Sequence, residues 1–481
     1  MLRSLWLLLL YLSFLGLGVT TPFVMTLGYV WVDTFQPQAV AYIILNELPV
    51  ALIMGAGAVL TYFTLDRRSP PPLMLQSVLQ VMLAIWMTAT LAWAELPDRA
   101  LVKWDWAFKC MVFASFVPLV IRSRVQIEAF AQTYVFSLAA NFVPFGIKVL
   151  LTGGGYGRNL GLQAGNTGLA EGGYLSTVCL MAVPLALTLG RHGQLIPRLP
   201  MMNLAYMGVA GLAVVTAIGT YERSALIGLM VLGVWMFIRS RKKFLYAIMA
   251  SVLAVAIIAG SASSWNARVS TIDDYATEGS ALTRILVWQW TLGYVMTNPL
   301  GGSFDSFGIN TIVMPPTPAN PGGYVQNGRA FHSIYFEVLG ELGWPGLFMF
   351  LLCAASSLIS LISLSRKCRK VPELVWVADM SDAVQSGLLV FLTAGAFVGI
   401  AFQPPFWYFV SMGICLRAYV WHAERAEDTN VTGWRLVAQQ TREAMAAVSS
   451  SGWRKPARQP GEQPVPTPGW RDSAQARRGQ S

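Results

Sequence analysis

Most of the chain is a succession of apolar runs of roughly 20 residues, each long enough as a helix to cross about 30 Å of hydrocarbon. Alternating strands of a membrane barrel would not give such runs. The pattern predicts an all-α polytopic membrane protein with twelve spans, near 4–33, 37–64, 72–94, 106–121, 126–150, 173–190, 200–219, 222–238, 244–262, 344–364, 383–402 and 405–421. The first is broken or re-entrant at Thr20-Thr21-Pro22. One long polar stretch, 263–343, interrupts the pattern. It divides the chain into an N-terminal bundle (1–262), a large loop (263–343), C-terminal membrane helices (344–422) and a tail (423–481). Loops of this length without helices of their own are usually functional or disordered. Within this one, 281–296 reads as a helix, and 331–342 as a helix leading into the next span.

Composition agrees with the periodicity. The 481 residues are 55% hydrophobic and 12% charged, with a mean hydropathy of +0.52; a soluble domain carries about 25% charge. The net charge of +10 does not point to nucleic acid, because the basic residues sit in short clusters between apolar runs. Arg67/Arg68, Arg122/Arg124, Arg191/Arg198, Arg239/Arg241/Lys242/Lys243 and Arg366/Lys367/Arg369/Lys370 fall on one side of the twelve-span assignment. The positive-inside rule makes that side the cytoplasm, with both termini inside and the 263–343 loop facing out. The apolar run Leu5 to Leu17 follows Arg3 as in a signal peptide, but no small-residue cleavage site follows, so it reads as a retained anchor. In the tail, 431–449 has the pattern of an interfacial amphipathic helix. Residues 450–481, rich in Pro, Gly, Arg and Gln, read as disordered. The five cysteines are scattered and suggest neither a disulfide framework nor a metal site.

Candidate chemistry gathers on the outer side. Arg223 stands where span 222–238 begins; it either snorkels to headgroups or pairs with Glu222, or it binds a diphosphate, which guanidinium grips bidentately. Arg284 lies on the 281–296 helix with Trp288 four residues on; it is either packed on an aromatic face or a second phosphate clamp. His332 is the one outer-face histidine of three. It is either a structural residue or a base for a hydroxyl near neutral pH. Arg329, Glu337 and Glu341 flank it, and Glu341 fits a structural hydrogen-bonding role equally well. The outer side has no Asp-x-Asp pair, since Asp273-Asp274 is adjacent, and there is no Walker loop, Gly-x-Ser-x-Gly or His-Glu-x-x-His. The outer compartment lacks nucleotides, so an activated donor there arrives attached to something, and a polyprenyl diphosphate fits.

Ser280-Ala-Leu-Thr-Arg284-x-x-x-Trp288, Asn298-Pro-Leu-Gly-Gly302 and His332-Ser-Ile-Tyr-Phe-Glu337-Val-Leu-Gly-Glu341-x-Gly-x-x-Gly346 resemble the block shared by the O-antigen ligase/polymerase superfamily. Pro22-Phe23, Trp31, Gln36-Pro37-Gln38 and Gly153-Gly-Gly-Tyr156 are similar to its O-glycosylation ligase branch associated with exosortase systems. The resemblance implies cofactor-free and metal-independent transfer, with inversion, of a glycan from undecaprenyl diphosphate to a glycan, lipid or protein acceptor in the periplasm. It also implies that Arg223 and Arg284 hold the diphosphate and that His332 activates or orients the acceptor hydroxyl. Arg329, Trp288, Glu337 and Glu341 are the expected substrate-binding neighbours. The chain departs from the family in Glu222, where a small polar residue is common, and in 163–173, which lacks an acidic-Asn-Asn pattern. The alternatives are a polymerase with the same donor site, a transporter or flippase, and a non-catalytic scaffold of an export complex. A transporter would favour paired charges in mid-membrane; Lys109, Glu128 and Lys148, near span ends, form no obvious pair in the sequence.

Overall fold

The computed structural model describes residues 2–41, 44–68, 70–152, 171–196, 200–239, 279–316 and 322–429. The expected span 244–262, most of the glycine-rich loop 151–172, Asp273-Asp274 and the tail segments 431–449 and 450–481 lie outside them. The chain divides into two units, Met1–His422 and Ala423–Ser481, and the helical bundle and the candidate site belong to the first.

The protein is a mostly helical, multi-pass membrane protein. Among the described residues, six helical stretches are long and apolar enough to cross a bilayer: Leu75–Trp93, Arg124–Thr152, Gly172–His192, Met201–Gly219, Ile334–Cys368 and Pro372–Phe397. The helices run α1 (Leu2–Gly18), α2 (Pro22–Phe35), α3 (Pro37–Val40), α4 (Ile44–Glu47), α5 (Val50–Leu65), α6 (Leu75–Ala89), α7 (Pro97–Val120) and α8 (Arg124–Thr152). They continue as α9 (Gly172–His192), α10 (Pro200–Gly219), α11 (Arg223–Arg239), α12 (Gly279–Thr297), α13 (Ile334–Cys368), α14 (Val375–Ala394) and α15 (Pro404–Thr429).

The break at Thr20-Thr21-Pro22 separates α1 from α2, with Pro22 in the first turn of α2, where a missing N–H costs nothing. The single span expected over 37–64 is instead three helices. Gln36 adopts a left-handed φ of 57° before Pro37, Ala41 is extended, and Pro49 precedes α5. Helix α9 is central and buried on all sides, packed against α8, α10, α11 and α14. Small residues allow the close approach. A Cβ on Gly228 of α11 would meet Leu180 of α9 at 2.9 Å, and one on Gly146 of α8 would meet the Leu212 carbonyl of α10 at 2.9 Å.

The span expected over 383–402 begins earlier, in Val375–Ala394, because its two aspartates are neutralised. Asp379 lies 2.8 Å from His192 Nε2 and 3.1 Å from Arg369. Asp382 lies 2.6 Å from Arg369 and 3.2 Å from Arg239. Arg124 donates to the His192 carbonyl at 3.1 Å. Basic residues from α8, α9, α11 and α13 thus gather at one end of the bundle, and the N-termini of α9 and α11 and the C-terminus of α14 lie at the other.

Residues 279–316 and 322–343 are structured. An antiparallel hairpin, β1 (Thr311–Met314) and β2 (Tyr324–Asn327), pairs Thr311 with Asn327 and Met314 with Tyr324. Its alternation buries Ile312 and Met314 with Val287 and Phe331. This hairpin is a departure from the all-α expectation, and four-residue strands are too short to announce themselves by pattern.

Candidate functional site

The site is framed by a kink. In α13 the path turns at Gly343, with φ 66° and ψ −168°, a region open essentially to glycine alone. The turn and Pro345 free the carbonyls of 340–342 from their helical partners. Each finds another: Gly340 accepts from the Gly302 N–H at 3.0 Å and from Ser306 Oγ at 3.0 Å, Glu341 from the Ser303 N–H at 2.8 Å, and Leu342 from Trp86 Nε1 at 2.8 Å. In return the Trp344 N–H donates to Pro299 at 3.0 Å. Gly301, with φ 78°, lies back to back with Gly343; a Cβ on Gly301 would stand 2.4 Å from the Gly343 nitrogen. The Asn298–Gly302 motif and the Gly343–Gly346 spacing are therefore two halves of one backbone joint. The N-terminal part of the chain supports the joint. Besides Trp86, Trp93 Nε1 donates to the Gly301 carbonyl at 3.1 Å and the Glu95 N–H to the Gly302 carbonyl at 3.0 Å.

The segment following α14, residues 395–403, is the hub around which the predicted residues gather. His332 is half-buried, with a left-handed φ of 47°, just before α13. A Cβ on Gly399 would lie 3.8 Å from the His332 nitrogen and 3.6 Å from Glu337 Oε2. Val398 packs on Gly173 at the start of α9, which also abuts Ser224, the neighbour of Arg223. Arg223 is the first residue of α11 and is half-buried. On α12, Trp288 reaches Phe397 with ring centroids 6.3 Å apart, stacks on Phe336 at 5.0 Å, and donates from Nε1 to the Phe331 carbonyl at 2.8 Å. Arg284 sits one turn earlier on α12 and is half-buried. The elements carrying Arg284 and His332 thus abut one short segment, and the element carrying Arg223 is joined to it through Gly173, at the end of the bundle opposite the basic cluster. Such an arrangement can hold an anion between helices and present an imidazole beside it.

Arg329 is exposed on a turn whose backbone is clasped by the buried Asn310: the Arg329 N–H donates to Asn310 Oδ1 at 2.9 Å, and Asn310 Nδ2 donates to the Arg329 carbonyl at 2.7 Å. Trp288 is engaged in the packing around Phe331 and Phe336. Glu337 and Glu341, expected beside the substrate, are instead turned into the protein. Both accept from Lys103 Nζ of α7 at 2.8 Å, and Glu341 is fully buried. Spaced four apart, they share one helix face, and that face meets α7.

Sequence reasoning found neither Lys103 nor the 395–403 segment. Lys103 falls in a stretch read as a connector before span 106–121, and its partners are 234 and 238 residues away. Residues 395–403 look like the end of an apolar span. As for the charges considered for transport, Lys109 pairs with Asp105 on an exposed face at 2.6 Å. Glu128 accepts from Gln132 Nε2 at 3.0 Å and from the Gln194 and Leu195 N–H groups at 2.6 and 2.8 Å, near the basic end of the bundle.

Residues 2–194 match a family of unknown function (DUF5935). Residues 208–351 match the O-antigen ligase family. No curated protein matches the chain. The second match contains Arg223, Arg284, Arg329, His332, Glu337 and Glu341, and it supports a membrane glycosyltransferase of the ligase or polymerase type, acting in glycan assembly with lipid-linked glycan and acceptor partners.

Proposed function

We propose that the protein transfers a glycan from undecaprenyl diphosphate to an acceptor hydroxyl on the periplasmic side of the bacterial inner membrane, with inversion and without a metal. The observation that carries this reading is that Arg223, Arg284 and His332 all lie within the O-antigen ligase match, with the elements of Arg284 and His332 abutting residues 397–399 and that of Arg223 joined to them through Gly173. The polyprenyl tail stays in the bilayer, with the diphosphate against Arg223 and Arg284. The acceptor oxygen attacks the anomeric carbon while the bond from that carbon to the phosphate oxygen breaks. Its electron pair leaves with the diphosphate, where the two guanidinium groups stabilise the developing charge. The acceptor proton passes to the His332 ring. Positioning and charge stabilisation supply most of the rate. Arg329, on its clasped turn, faces the solvent side and meets the glycan. Trp288, Glu337 and Glu341 build the frame. Membership of the exosortase-associated branch belongs to this proposal, on the N-terminal motifs.

The test is purified protein with undecaprenyl-diphosphate glycan and extracted membrane acceptors. Wild type releases undecaprenyl diphosphate and forms a product whose mass tells a ligase from a polymerase. Arg284→Ala and His332→Ala each slow release by about 100-fold or more while the protein still inserts. Wild-type rates in either variant would remove that residue from the mechanism. Donor binding without release for any acceptor would move the assignment to a transporter or scaffold.

A further inference from the structure

Lys103 is a buried charge that the proposed transfer mechanism does not use. Its ammonium lies 2.8 Å from Glu337 Oε1, 2.8 Å from Glu341 Oε1 and 3.7 Å from Asp305 Oδ1. The rings of Phe402 and Phe304 close over it, with centroids 5.5 and 6.0 Å away. The side chain is 13% exposed, Glu337 7% and Glu341 0%. A lysine that only sought headgroups would have its ammonium outward; this one is turned to three carboxylates.

The carboxylates pass the contact on. Glu337 uses its second oxygen to accept from the Ala401 N–H at 2.9 Å, and Gly399, two residues earlier, abuts both that carboxylate and the His332 backbone. Glu341 Oε1 also accepts from the Asp305 N–H at 3.0 Å. His332 has a left-handed φ, which a side chain of its size holds only where the surroundings over-determine it. Lys103, Glu337, Ala401, Gly399 and His332 are thus one continuous run of contacts, from α7 to the residue expected to meet the acceptor.

We propose that Lys103 is a positioning residue for glycosyl transfer: its ammonium fixes Glu337, Glu337 fixes the 399–401 backbone, and that backbone keeps His332 in the conformation that meets the acceptor. The proposal rests on the transferase reading for its kinetic part only. It assigns a role to the segment matching the family of unknown function, which supplies Lys103.

The test uses the full-length protein in nanodiscs and three variants: Lys103→Met, Lys103→Arg, and the charge-free Lys103→Met/Glu337→Gln/Glu341→Gln. The last removes the lysine and its two buried partners together, so the cluster keeps no buried charge, and leaves only Asp305, whose side chain is 26% exposed to solvent. Hydrogen exchange is read on peptides covering 396–403 and 329–336, and kcat and KM are normalised to folded protein. Lys103→Met is expected to speed exchange of 396–403 by about tenfold or more, with α9 peptides unchanged. It lowers kcat by about 30-fold while the donor KM stays within about threefold, and Lys103→Arg recovers part of the loss. The charge-free variant folds and has the same low kcat. Unchanged exchange at 396–403 overturns the proposal, as does wild-type kcat in the charge-free variant. If wild type transfers no glycan, the transferase reading falls, and the exchange data alone decide whether Lys103 holds the 399–401 backbone.

Discussion

Replacing Gly343 by alanine isolates the joint between the Asn298–Gly302 turn and the kink of α13. The new Cβ would stand 2.3 Å from the Pro299 oxygen and 2.4 Å from the Leu300 carbonyl carbon. Both are backbone atoms, so no side chain can rotate away. The conformation itself, φ 66° with ψ −168°, costs a non-glycine residue about 1–3 kcal/mol. Relieving the overlap moves the turn and stretches the bonds from Trp344 to Pro299, Gly302 to Gly340 and Ser303 to Glu341, each worth about 0.5–1.5 kcal/mol net. The sum is about 2.5–7.5 kcal/mol, among the largest effects a single substitution gives. Equilibrium unfolding in mixed micelles measures it. Gly293→Ala is the internal control: that glycine lies in α12 with nothing within 4 Å of a new Cβ, so helix propensity predicts a gain of about 0.5–1 kcal/mol. If Gly343→Ala unfolds within about 1 kcal/mol of wild type, the joint is not a rigid element.

Other substitutions test the surrounding frame. Trp288→Phe keeps an aromatic ring against Phe336 but loses the hydrogen bond to Phe331, and should cost about 1 kcal/mol by the same unfolding assay, against about 3–5 kcal/mol for Trp288→Ala. Asn310→Ala frees the 328–330 backbone; it should raise exchange at Arg329 and cost about 1–3 kcal/mol. Glu128→Ala leaves the Gln194 and Leu195 N–H groups without their acceptor and should lower stability by about 1–3 kcal/mol. The Arg68 side chain, bonded to Asp66, holds that carboxyl below the usual aspartate range. The stability this adds is complete above the unfolded-state pKa of about 4 and is lost as pH falls through the lower folded value. Because the pair is partly exposed, Asp66→Asn should change stability by less than about 1 kcal/mol at neutral pH, and a difference that grew towards acid pH would contradict the sign.

How much of the molecule is legible in the sequence depends on how local each signal is. The break at Thr20-Thr21-Pro22 is readable because proline acts on its own turn. The Arg284, Asn298–Gly302 and His332 blocks are readable as a set, but not the backbone joint that explains Gly301 and Gly343. Lys103 is not readable, since a lone lysine at a helix start looks the same whether it faces headgroups or carboxylates more than 200 residues away. Asp379 and Asp382 misplace a span for the same reason: their charges weigh against a membrane helix until Arg369, Arg239 and His192 are seen to meet them.

The distance along the chain from Lys103 to Glu337, 234 residues, sets an order of events during synthesis. Helix α7 leaves the ribosome long before the carboxylates that will receive its lysine; at about 5–20 residues per second the interval is roughly ten to fifty seconds. During that interval an ammonium destined for the interior has only water, headgroups or a helper protein to solvate it. The N-terminal helices can insert as they emerge, but α7 reaches its final seat only when α13 arrives. The last membrane helices therefore complete the packing of an early one, and a chain truncated before residue 337 would present the insertion machinery with an unmatched charge to hold or to degrade.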